Sequence, residues 1–212
     1  MSALSIEEPA RPGRHTPGRN WLIGCGGCGL LAVVVFIGVA LFMKSRLEKA
    51  QDPERVWPLL QSVLPFDERP KQVRPLLGIA LGGTTISLQD TRNEARVDLL
   101  AFGPGSEGAF DALFDAEKAR TAALANASPL LDAAAGELEV QGRKVRTLHG
   151  RGLARSADAS GAHAFVSKLR IDLSSSGGRS LSFQYELPDG DAATLGAAAL
   201  AFLSEFDVWR GR

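Results

Sequence analysis

LLGIALGGTTISLQDTRNEARVDLLAFGPG, residues 76–105, decides the fold, because its apolar positions alternate and its turns recur at the spacing of an antiparallel sheet. Leu76 to Leu81 and Thr84 to Gln89 are strand-like runs parted by Gly82-Gly83, a pair suited to a tight hairpin. Thr85, Ser87 and Gln89 alternate with Ile86 and Leu88, which marks one buried face. Asp90-Thr91-Arg92-Asn93 turns the chain into a third run, Ala95 to Phe102, closed by Gly103-Pro104-Gly105.

Downstream, Ser106 stands where a helix N-cap belongs, and Phe110, Leu113, Phe114 and Leu124 recur at helical spacing. This predicts one helix to about Ala125, covering the sheet. Leu138 to Val140 and Arg143 to His149 form a hairpin-like pair about Gln141-Gly142. Ala164 to Leu173 and Leu181 to Leu187 form another about residues 174–179. Pro188-Asp189-Gly190-Asp191 then opens a last helix, with Leu195, Ala199, Phe202 and Phe206 on one stripe, Leu203 beside them, and Trp209 sealing the core edge. The predicted class is α+β, an antiparallel sheet with helices packed on it, preceded by one N-terminal transmembrane helix.

That preceding helix is read from Trp21 to Met43, a run with no charge, Asn, Gln or Pro that stops at Lys44. About 20 apolar residues cross a hydrocarbon core of about 30 Å, so this run suffices. Its length and the absence of a small-residue exit near Ser45 predict retention, not cleavage as a secretory signal. The expected organisation is a disordered basic tail over residues 1–20, the span over 21–43, a stalk and short helix over 44–72, and a globular domain over 73–212. Within the middle segment, Asp52 caps a helix Glu54 to Val63 that buries Val56, Leu59, Leu60 and Val63. Basic residues flank the span on both sides, so their count leaves orientation open. The common arrangement for one N-terminal anchor places the domain on the exocytoplasmic side of a plasma or inner membrane.

Charge excludes a nucleic-acid binder: 24 Lys+Arg balance 24 Asp+Glu, leaving no cationic excess for phosphates. Both cysteines, Cys25 and Cys28, fall inside the span, so no disulfide holds the body. Gly24 to Gly29 spells Gly-x-Gly-x-x-Gly, yet the run that follows is apolar all round and no acidic residue lies about 20 positions on, so it is not a dinucleotide loop. Gly24, Cys28 and Ala32 instead make a small-residue stripe suited to weak helix self-association in lipid.

Val140-Gln141-Gly142-Arg143, the strand Leu181 to Leu187 running into Pro188, and the helix end Phe202-Leu203-Ser204-Glu205-Phe206 resemble the Mog1/PsbP-like fold over most of residues 73–208. These are packing and turn positions. The resemblance implies an accessory or binding role, mainly non-enzymatic, and names no partner.

The candidate chemistry is sparse. His149 reads as an exposed edge residue and His163 as a loop residue; a metal they shared would need a third ligand that the sequence does not mark. No nucleophile elbow or phosphate loop is spelled, so no catalytic residue, cofactor or metal is predicted. Arg143, Lys144, Arg146 and Arg151 form a local basic cluster that could dock an acidic partner or anionic headgroups, although a solvated strand face is the favoured account, because Glu137 and Glu139 just upstream partly offset the charge. The expected function is a single-pass, membrane-anchored accessory or binding protein whose partners are the bilayer and a membrane or envelope protein. The alternative is a tethered carrier of a small apolar ligand, held between the sheet and the last helix.

Overall fold

The computed structural model describes residues 35–42, 44–45, 48–103, 105–121, 129–153, 165–175 and 180–210. The chain divides into two compact units, Met1–Arg46 and Leu47–Arg212. In the first, residues 35–42 are helical, and Val35, Phe36, Ile37, Val39, Leu41 and Phe42 are each more than half exposed. The tail, most of the expected span, and Gly24, Cys28 and Ala32 lie outside the described residues. Among the described residues no helix is long and apolar enough to cross a membrane.

The second unit is built on one seven-stranded sheet. Its strands are β1 (Val73–Ala80), β2 (Gly83–Asp90), β3 (Ala95–Phe102), β4 (Leu131–Val140), β5 (Arg143–Leu153), β6 (Phe165–Asp172) and β7 (Ser180–Leu187). They lie in the order β1-β2-β3-β7-β6-β5-β4, every neighbour antiparallel. Two meanders therefore join at β3 and β7, and the chain leaving β3 must cross β7, β6 and β5 to reach β4 at the far edge. The first hairpin turns through Leu81 and Gly82, one residue earlier than the glycine pair suggests. Gln141 and Gly142 turn the β4–β5 hairpin with φ of 47° and 80°, the two positive values that a two-residue turn of this hand requires. Both edge strands are irregular: β1 shifts register between Pro75 and Leu77, and β4 between Leu131 and Ala134, with Asp132 at φ 53°.

On one face lie α1 (Pro53–Val63) and the last helix (Ala192–Leu203). Asp52 and Asp191 cap them, accepting from the backbone N–H of Glu54 at 3.1 Å and of Thr194 at 2.8 Å. Val56, Trp57, Leu60 and Val63 join the main core with Ile86, Leu99, Phe183, Leu195 and Phe202. The short helix assigned above to the stalk segment is thus built into the body, and Trp57, not Leu59, takes its fourth buried place. The last helix is apolar nearly all round, with alanines and Thr194 at its exposed positions, instead of sharply amphipathic. Phe206 is buried just beyond its end. Gln141 closes that end: its Nε2 donates to the carbonyls of Phe206 (2.7 Å) and Leu203 (3.3 Å), and its Oε1 accepts from Val208 N–H at 3.2 Å. Orphan carbonyls at a helix terminus are satisfied here by a hairpin turn far away in sequence. Trp209 donates from Nε1 to Val140 O at 2.9 Å, at the core edge as expected.

The crossover from β3 to β4 carries α2 (Glu107–Ala112) and α3 (Ala116–Thr121) on the opposite face, where one longer helix was expected. Asp115 explains the break. Its carboxylate accepts from the N–H groups of Glu117 and Lys118, both at 3.0 Å, so it caps a new helix in place of continuing the old one. Ser106 holds the cap position of α2 without a side-chain capping bond, and Leu124 lies outside the described residues. Phe110, Leu113, Phe114 and Ala119 pack with Leu130, Ala133 and Leu148 into a second, smaller core.

Candidate functional site

Alternation sends β3 residues 97, 99 and 101 and β7 residues 181, 183 and 185 into the main core, so their neighbours must line the opposite face. Apart from Leu100 and Phe102, those neighbours are polar, and most of them are buried. Ser87, Asp98, Lys168, Arg170, Gln184 and Glu186 are all 5 % exposed or less, and Arg96 covers one end of the row. Strand register sets them in two rungs: Ser87, Asp98, Gln184 and Arg170 follow one another across β2, β3, β7 and β6, and Arg96, Glu186 and Lys168 lie one rung over.

Within this layer, signs alternate. Ser87 Oγ bonds Asp98 Oδ1, and Arg96 reaches both, with Nε 3.3 Å from Asp98 Oδ2 and Nη2 3.2 Å from Ser87 Oγ. Lys168 Nζ lies 3.0 Å from Glu186 Oε1, which also accepts from Gln184 Nε2 at 2.7 Å. Gln184 Oε1 in turn accepts from Arg170 Nε at 2.8 Å, so one amide joins a cation to an anion. Arg170 Nη1 donates to Leu113 O at 3.1 Å, tying the layer to the end of α2. Burying charge costs several kcal/mol per ion unless it is paired and hydrogen-bonded, and pairing of this kind offsets that cost. Chemically its donors and acceptors engage one another, so the layer cross-links β2, β3, β7 and β6 and fastens α2 to them.

A second polar group sits on the main-core side. Tyr185 donates from its hydroxyl to Asp90 Oδ2 at 2.8 Å and accepts from Asn93 Nδ2 at 3.1 Å. Arg92 grips the same carboxylate at 3.0 and 3.2 Å and donates to Ala201 O at 3.2 Å, joining the β2–β3 turn to the last helix. Burial, reinforced by the adjacent Asp90, pushes the Tyr185 phenol up to about 12.

The basic residues picked out in sequence divide between the two faces of the sheet. Arg143 stacks on the Trp209 ring at 4.6 Å on the main-core side, and Arg151, on that same side about 26 Å along the strand, pairs with Asp132 at 2.9 Å. Lys144 and Arg146 point the other way. Arg146 bridges Asp111 and Asp172, each at 2.6 Å, and lies over the Phe110 and Phe114 rings at 5.5 and 4.8 Å. The four therefore make no common patch, because strand alternation separates them. His149 is half-buried on an interior strand, not exposed at an edge, and its buried Nε2 has no hydrogen-bond partner among the described residues. His163 lies outside the described residues. Among the described residues no three His, Cys, Asp or Glu side chains are grouped to hold a metal.

The space between the sheet and the last helix, where an apolar ligand would have to sit, holds ring packed on ring: Phe202 lies 5.8 Å from Phe183, 6.2 Å from Tyr185 and 5.4 Å from Phe206. No family model, curated protein or solved structure matches the chain.

Proposed function

We propose that this chain is a single-pass membrane protein whose α+β body serves as a non-enzymatic accessory or binding domain for a membrane or envelope partner, on the exocytoplasmic side of a plasma or inner membrane. The observation that carries the reading is the uncharged run Trp21–Met43. Its support from the coordinates is the helical stretch over residues 35–42, whose six large apolar side chains are all exposed. Burying such side chains is worth roughly 1.5–3 kcal/mol each, a gain that lipid supplies and water does not. Tethering holds the body at high local concentration beside membrane partners, so modest affinity suffices. A Mog1/PsbP-like likeness of the body suits such a role, and the stripe Gly24, Cys28 and Ala32 suits weak pairing of spans.

Alkaline carbonate extraction tests the anchor. Full-length protein stays with the membrane pellet and a variant lacking residues 21–43 moves to the supernatant; full-length protein in the supernatant, or a mature N-terminus beyond Met43, overturns the reading. Crosslinking of the full-length chain at native expression tests the role, which fails if no membrane protein is recovered.

A further inference from the structure

We propose that α2, α3 and Leu130 form a cover that opens as one unit, separately from the main core, and that opening delivers the buried charged layer, Lys168 above all, to solvent. Topology supplies the cover: the β3-to-β4 connection crosses three strands on the polar face. Its two six-residue helices are too short to stand alone, so their order depends on what they touch. They touch a core of their own. Phe110, Leu113, Phe114 and Ala119 pack with Leu130, Ala133 and Leu148 and form a cluster distinct from the one holding α1 and the last helix.

Polar contacts among the described residues also tie the cover to the sheet. Arg146 bridges Asp111 on α2 to Asp172 on the sheet while covering the Phe110 and Phe114 rings, and so acts as a latch. Arg170 holds Leu113 O and Arg120 Nη2 holds Ala133 O at 2.8 Å, while Leu130 N–H donates to Ala119 O at 2.8 Å within the cover and so moves with α3. The trailing end lies flat on β5, where a Cβ at Gly150 would come 2.9 Å from Leu131 O, and one at Gly152 would come 2.9 Å from Pro129 O and 3.0 Å from Lys168 Cε. Lys168 thus sits directly beneath the segment that the cover carries. Opening exposes the apolar side chains of this small cluster, at a cost, together with charged groups that water solvates well, so lifting this cover costs less than lifting an equal area packed wholly on apolar core. Segments that open alone in this way are drawn from the least stable part of a fold.

Hydrogen exchange and amine acylation of the full-length chain, read together by mass spectrometry, test the proposal. Acylation by an N-hydroxysuccinimide ester reports access to Lys168, with exposed Lys144 as the reference for reagent. Arg146→Ala speeds exchange of the α2 and α3 amides and acylation of Lys168 about tenfold, as expected for loss of a charge-assisted tie, and leaves the last helix at its wild-type rate. Arg146→Lys, which keeps the charge and loses the flat fork, falls between. The proposal is overturned if the last helix accelerates in step with the cover, if Arg146→Ala changes neither readout, or if the cover loosens while Lys168 stays at its wild-type rate. Should the alanine variant not fold, wild-type exchange across sub-denaturing urea decides: cover amides and Lys168 opening on a shallower denaturant dependence than the last helix support separate opening, and merged dependences overturn it.

Discussion

Tyr185 is the only tyrosine in the chain, so its ionisation can be followed without ambiguity. Its ring is fully buried and its hydroxyl donates to Asp90 at 2.8 Å; ionisation would strip that donor and set a phenolate against a carboxylate. The folded value of about 12 stands above the ordinary value of about 10, so the fold favours the protonated phenol. Stability from this group is complete below pH 10, where both states keep the proton. It declines as the unfolded chain begins to ionise, and is lost by about pH 12, when the folded form ionises too. Two pH units correspond to about 2.7 kcal/mol at most, and a loss of about 2 kcal/mol is expected. Tyr185→Phe is less stable than wild type at pH 7 by about 1–2 kcal/mol, through two lost hydrogen bonds, and lacks this part of the alkaline decline. Urea unfolding of both proteins at a series of pH values gives the difference curve, in which the titration of other groups largely cancels. Tyrosinate absorbance of the folded protein gives the titration directly. A rise centred near pH 10 in the folded protein, or parallel stability curves, would refute the reasoning.

Gln141→Ala removes three hydrogen bonds at the end of the last helix and should cost about 2 kcal/mol in urea unfolding. Gln141→Gly loses the same bonds but relieves the positive φ, so it should be more stable than the alanine variant by about 1 kcal/mol; equal values would show that the left-handed backbone carries no strain. Gly152→Ala drives a Cβ against a backbone carbonyl and should destabilise by about 1–3 kcal/mol, with the excess exchange appearing in α3 ahead of the last helix.

The sheet was legible because its turns carry their own chemistry. Ala95 to Phe102 is read from sequence with the bounds that β3 shows, and Gln141-Gly142 marks a hairpin by residue type alone. Two features escaped. The helix break at Asp115 was hidden by Phe110, Leu113 and Phe114, whose spacing suits one continuous helix as well as two short ones. The polar layer was hidden by alternation itself: Ser182, Gln184 and Glu186 between Leu181, Phe183 and Tyr185 look like a solvent-facing row, yet the crossover helices pack on that face and the row is buried. A signal was nonetheless present. Arg96 and Asp98, Lys168 and Arg170, and Gln184 and Glu186 are charged or amide residues two apart on three strands, and they match across the strands in two rungs once these are set side by side.

The two irregular rims of the sheet decide how copies of this molecule can meet. Pro75 offers no N–H at one rim, and Asp132, Glu137 and Glu139 place acid along the other, while a kink in each bends its hydrogen-bonding groups out of line. A neighbour arriving edge-on finds no straight template to extend, so dense packing of copies should not seed fibrils through the rims. Association is left to surfaces built from side chains, where sequence can discriminate one neighbour from another.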